Sequence, residues 1–154
     1  RTQRGSATQG WTFPVGQISK DDERLRRTCI EALKNGVALL RNGARIGTLG
    51  ATIQESFEQE GFNVVRDFVG HGIGAQAIED PQLPCYGQRD RGRRLDDGLI
   101  LHVHAIGVAG GQKVELDPLD KWTCTTVDGK KGVLFTAMVR LRPDGHDLLT
   151  PYLG

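Results

Sequence analysis

The stretch Phe68-Val69-Gly70-His71-Gly72-Ile73-Gly74 decides how this chain is read. A histidine held between glycines after an apolar run stands unobstructed, because glycine lets the backbone pass close to a ligand. That is one way a protein presents an imidazole to a metal ion. The same motif equally suits a turn histidine bonded to backbone. The glycines do not make a phosphate loop, since the stretch has no lysine and its spacing departs from the dinucleotide fingerprint.

Upstream of the motif the chain reads as helical. Ser19 followed by Asp21, Asp22 and Glu23 is a helix start, with a capping hydroxyl and acids suited to the positive end of the helix dipole. Leu25, Cys29, Leu33, Val37 and Leu40 recur every three to four residues, so they form the buried stripe of a helix that should stop near Gly43. Thr48 is placed to cap a second helix with the stripe Leu49, Ile53 and Phe57, ended by Gly61. Before both helices, Trp11 to Val15 resembles a strand end, limited to an edge by Pro14.

Downstream the pattern turns to short apolar runs: Val64-Val65, Leu99 to Val108, Trp122 to Val127 and Val133 to Leu141. These predict antiparallel strands. Asp128-Gly129 is a hairpin signal between the last two, since both residues tolerate positive φ. Gln88 to Arg94, with four arginines and no periodicity, reads as a solvated loop, and Glu79-Asp80 before Pro81 as a solvated acidic turn. The expected fold is α+β, two amphipathic helices packed on a curved antiparallel sheet.

A chain of 154 residues makes one domain with a sizeable core, here 11–154 after a polar segment 1–10. Twenty Lys and Arg against 19 Asp and Glu give a formal charge of +1, which offers no global attraction for nucleic acid or an anionic membrane. Three cysteines, Cys29, Cys85 and Cys124, without CxxC spacing, favour free thiols in a cytoplasmic setting. No run reaches membrane-spanning length and no signal peptide opens the chain. It begins with Arg1 rather than Met, which fits a piece of a longer product.

His102 and His104 lie one residue apart on an expected strand, so they share a face while Leu101 and Val103 take the other. With His71 they could supply three nitrogens to a zinc site that keeps one open position. Spacing alone favours two solvent-facing strand residues. No serine or cysteine stands in an activating context, so no nucleophile and no catalytic residue is assigned.

Several motifs in order resemble the type I methionine aminopeptidases of the pita-bread metallopeptidase family. They are Gly61-Phe62-Asn63-Val64-Val65-Arg66 leading into Gly70-His71-Gly72-Ile73-Gly74, Glu79-Asp80-Pro81, Leu95-Asp96-Asp97-Gly98, Asp120-Lys121-Trp122-Thr123, Thr126-Val127-Asp128-Gly129, and Asp144-Gly145 to Leu149-Thr150. The resemblance implies the pita-bread (creatinase/aminopeptidase-like) fold, mainly its C-terminal half. It also implies two divalent ions, such as Co, Mn, Fe or Zn, held by two aspartates, one histidine and two glutamates. On these positions His71 matches the metal-binding histidine, and Trp122 a tryptophan near the methionine side-chain pocket. The other positions depart from the pattern. One aspartate would precede Arg1 and the second falls on or near Thr8; the glutamates fall on His104 and Thr136; the substrate-contacting histidine falls on Ile78.

Without those carboxylates the family's two-ion site is not expected, and at most one zinc, on His71, His102 and His104, replaces it. The leading expectation is therefore a catalytically degenerate domain kept for binding or structure. The alternatives are an aminopeptidase with rearranged or partner-supplied ligands, and a structural subunit, with nascent peptide or ribosome as partner by family analogy. A half-fold should also expose apolar surface and so self-associate or take a partner chain. Neither a membrane nor a specific nucleic acid is expected.

Overall fold

Ser19 opens the first helix as its sequence requires. In the computed structural model, which describes residues 6–152, helix α1 spans Lys20–Val37, and the Ser19 side chain accepts from Asp22 N at 3.1 Å. Residues 1–5 of the polar opening segment and residues 153–154 lie outside the described residues. The stripe Leu25, Cys29, Leu33 and Val37 is buried. Helix α1 stops at Val37, short of Gly43, and Leu40 reaches the core from the turn that follows.

Helix α2 (Ile46–Gln59) buries Leu49 and Ile53 against α1 and Phe57 against β4. The two helices approach closely at Gly36, where a Cβ would stand 2.8 Å from the Ile53 side chain. Thr48 does not cap α2. The helix begins at Ile46, behind Arg45, with no side-chain cap, and Thr48 Oγ1 instead accepts from Asp90 N at 2.9 Å. It thereby ties down the arginine loop, which folds over the start of α2 so tightly that a Cβ on Gly47 would lie 2.3 Å from Gln88 O. That loop is largely exposed, as its composition predicts, yet it is held by the Arg89–Glu55 ion pair.

The strands are β1 (Asn63–Val64), β2 (Gly70–Ile73), β3 (Glu79–Leu83), β4 (Ile100–Val108), β5 (Val114–Leu116), β6 (Cys124–Thr126), β7 (Gly132–Arg142) and β8 (Gly145–Leu148). The main sheet is antiparallel in the order β3-β2-β4-β7-β8, with β1 also on β4, and β5 pairs separately with β6. The architecture is the expected α+β. Leu101, Val103 and Ala105 of β4 and Phe135, Ala137, Val139 and Leu141 of β7 alternate onto the core face, where α1 packs. No helix among the described residues is long and apolar enough to cross a membrane.

Several local expectations are corrected. Trp11 to Val15 is not a strand, although Thr12 Oγ1 bonds the backbone of Leu134 on β7. The expected strand Trp122 to Val127 shrinks to β6, which pairs with β5 instead of β7, so Asp128-Gly129 turns the chain between two sheets. Gly129 does adopt the positive φ, 69°, that the pair was read to supply. Glu79-Asp80-Pro81 is not a solvated turn but the start of β3, paired with β2.

Candidate metal centre

Three histidines meet on the sheet face opposite the helices. On β2, His71 stands directly across from His102 on β4, and His104 follows two residues along the same face. Their ring centroids lie 5.3 Å (His71–His102), 5.7 Å (His71–His104) and 4.3 Å (His102–His104) apart. One nitrogen from each ring can be chosen so that all lie within 4.8 Å of one another, and no other such cluster of His, Cys, Asp or Glu occurs among the described residues. The pair of readings left open by His-x-His is thus decided: His102 is 5% exposed and His104 half-buried, so neither is a solvent-facing strand residue.

Gly70 and Gly72 flank His71 where neighbouring strands approach closely. A Cβ on Gly70 would lie 2.4 Å from His102 O, and one on Gly72 would lie 2.3 Å from Asp80 O. The glycines let β4 and β3 close on β2, and that close pairing brings His71 against His102.

Hydrogen bonds orient the rings. His71 Nδ1 is 2.9 Å from Gly72 O, and since a carbonyl only accepts, Nδ1 carries the proton and Nε2 the lone pair. His104 Nε2 and His102 Nδ1 are 3.0 Å apart and share one hydrogen bond. His102 Nε2 is buried with no partner. Burial first, then the neighbouring imidazoles, pushes His102 down to about 3, and burial followed by His71 pushes His104 down to about 4. Both rings are therefore neutral near neutral pH.

A consequence for stability follows from those shifts. The unfolded chain takes up protons on these two histidines near the ordinary value of about 6.5, whereas the folded chain resists until about 3 to 4. The unfolded state thus binds more protons across that window, and stability falls as pH drops from about 6.5 towards 4. In chelator, urea melts at about pH 7 and about pH 5 should show the loss, and His102→Gln should flatten the slope. A slope unchanged in that variant would count against a buried neutral His102.

Among the described residues no carboxylate joins the three rings. Thr136 of β7 is the register partner of His104 and is 3% exposed; its Oγ1 accepts from Gly10 N at 2.8 Å, while Thr136 N donates to Gly10 O. Thr8 N lies 3.2 Å from Met138 Sδ, and Met138 is the register partner of His102. Thr136, at a position where a glutamate is expected, therefore lies beside the histidine face and brings a hydroxyl to it, while the Thr8 backbone N–H reaches the Met138 sulfur. Ile78 is 70% exposed, and Trp122, at 86%, lies in the loop between β5 and β6, where Asp120 Oδ1 accepts from its backbone N–H. Neither belongs to the histidine cluster.

The donor set does not suit a pair of dications. Two ions a few ångströms apart need bridging carboxylates to offset their charge, whereas the cluster offers imidazoles alone.

A model of metallopeptidase family M24 matches residues 1–142. Methionine aminopeptidase 1 of Bacillus subtilis is 41% identical over 140 residues, which are 91% of this chain and 56% of that protein. Among solved structures, methionine aminopeptidase from Rickettsia prowazekii superposes with a TM-score of 0.86 at 32% identity, over 88% of this chain and 55% of that one. The enzyme from Thermotoga maritima gives 0.85 at 35% identity, over 88% and 54%. These likenesses carry the expected pita-bread fold. The chain spans about half the length of the relatives it matches.

Proposed function

This chain belongs to metallopeptidase family M24, and from that membership we propose that it is a methionine-aminopeptidase-like domain that has given up two-ion hydrolysis and serves as a binding or structural module. The observation that carries the reading is the pairing of His104 with Thr136 across β4 and β7. At these two places, where resemblance expects glutamates, one side chain is a half-buried imidazole and the other a buried hydroxyl already bonded to Gly10. Neither supplies the negative charge that two dications require.

The exposed loop and hairpin around β5 and β6 fit a binding role. Leu116, Leu119, Trp122 and Val127 stand exposed there, more apolar surface than one hairpin needs. A peptide, or another chain, laid across them would take these side chains out of water.

A second reading is favoured by the histidine cluster itself: an aminopeptidase with a rearranged imidazole site. Hydrolysis of a methionyl peptide, assayed with Mn²⁺, Co²⁺ and Zn²⁺ in turn, separates the two. We expect rates indistinguishable from the uncatalysed reaction with every ion. Turnover that chelator stops and His71→Ala abolishes would establish the second reading instead.

A further inference from the structure

We propose that His71, His102 and His104 form a mononuclear site for a borderline transition-metal ion of the zinc class, with three imidazoles as its protein ligands and a fourth position open. The inference deepens the reading above and rests on it, since it assigns a ligand to a face that no longer suits two carboxylate-bound ions.

Topology makes the site stiff. Two of the ligands share β4, and the third is on β2, held in register with β4 by backbone pairing of His71 with His102. Spacing suits the ion. A tetrahedral centre with Zn–N distances of about 2.05 Å has ligand edges of about 3.3 Å, and His104 Nε2 already lies 3.0 Å from His102 Nδ1. The third nitrogen, from His71, lies within 4.8 Å of the others.

Orientation suits it too. By donating from Nδ1 to Gly72 O, His71 is fixed with its lone pair on Nε2, the arrangement by which backbone carbonyls commonly orient metal-bound histidines. Without an ion the two facing nitrogens of His102 and His104 share a single proton between them. The donor chemistry then selects the metal, since an all-imidazole set suits zinc, copper, nickel or cobalt over magnesium, calcium or manganese.

The test uses the full chain, stripped with chelator and returned to Zn²⁺ alone. It should take up about one zinc per chain and unfold at a higher temperature. Co²⁺ in its place should give the intense visible absorption of a tetrahedral ion. His71→Ala and His104→Ala, at half-buried positions, should each weaken zinc binding by at least about 100-fold. His146→Ala serves as control and should retain the zinc, because His146 bonds Leu40 O away from the cluster. Absence of zinc from the wild type overturns the proposal, as does zinc retained by both cluster variants with wild-type unfolding profiles. If a variant fails to fold, the wild-type cobalt spectrum decides alone, and that of a six-coordinate ion overturns the proposal. Zinc content decides this inference and methionyl-peptide hydrolysis on the same samples decides the reading beneath it, so the two fail separately.

Discussion

Phe57→Ala is expected to destabilise the domain by about 3–5 kcal/mol, the cost of removing a large aromatic ring from a packed core. Phe57 is fully buried on α2, and its ring lies so close to β4 that a Cβ on Gly107 would meet Phe57 Cε1 at 2.0 Å. Gly107 thus forms the floor of the slot that the ring fills. Truncation leaves a cavity between helix and sheet that neither the backbone of β4 nor the neighbouring Phe62 and Val64 can readily close. Chemical denaturation of wild type and variant would measure the loss. A change under about 1 kcal/mol would mean that α2 does not seat on the sheet as described.

Gly70→Ala should act on both the fold and the histidine face. The added methyl meets His102 O at 2.4 Å and His104 N at 3.1 Å, so relief requires β2 to move away from β4, because backbone atoms cannot rotate aside as a side chain can. We expect a cost of about 2–3 kcal/mol, in the upper part of the range for overpacking. His71 moves with β2, so the variant should also lose zinc even though every histidine remains. A folded Gly70→Ala protein that binds zinc like the wild type would show that the close β2–β4 approach does not position His71.

How much of this was legible beforehand differs between elements for physical reasons. Helix α1 was readable because its cap, its acidic first turn and its apolar stripe agree. Strands β4 and β7 were readable because each is long and apolar, and strict alternation put His102 and His104 on one face. Strands β2, β3, β5 and β8 run only three to five residues, too few to establish a period, and β3 contains Pro81. Their pairing is decided by neighbours distant in sequence, which local pattern does not encode. Thr48 shows the same effect at one residue: a good capping side chain is taken by the Asp90 backbone from a distant loop.

The candidate site was partly legible. Parity joined His102 to His104, and resemblance singled out His71, but only the β2–β4 register brings the three rings together. The burial of His102 was not visible either, since it depends on neighbours from β2 and β7 as well as its own strand. The packing role of Gly70 and Gly72 is not legible in the sequence, because nothing in it says whose backbone approaches them.

The central claim is that this M24 domain offers imidazoles where two carboxylate-bound ions would be expected. X-ray absorption at the zinc edge of the reconstituted chain tests it most directly, because imidazole rings leave a characteristic outer-shell scattering pattern. The account predicts about three imidazole nitrogens at about 2.0–2.1 Å with one further light ligand. A shell of oxygens without imidazole scattering, or a sulfur ligand from the exposed Cys124, would contradict it.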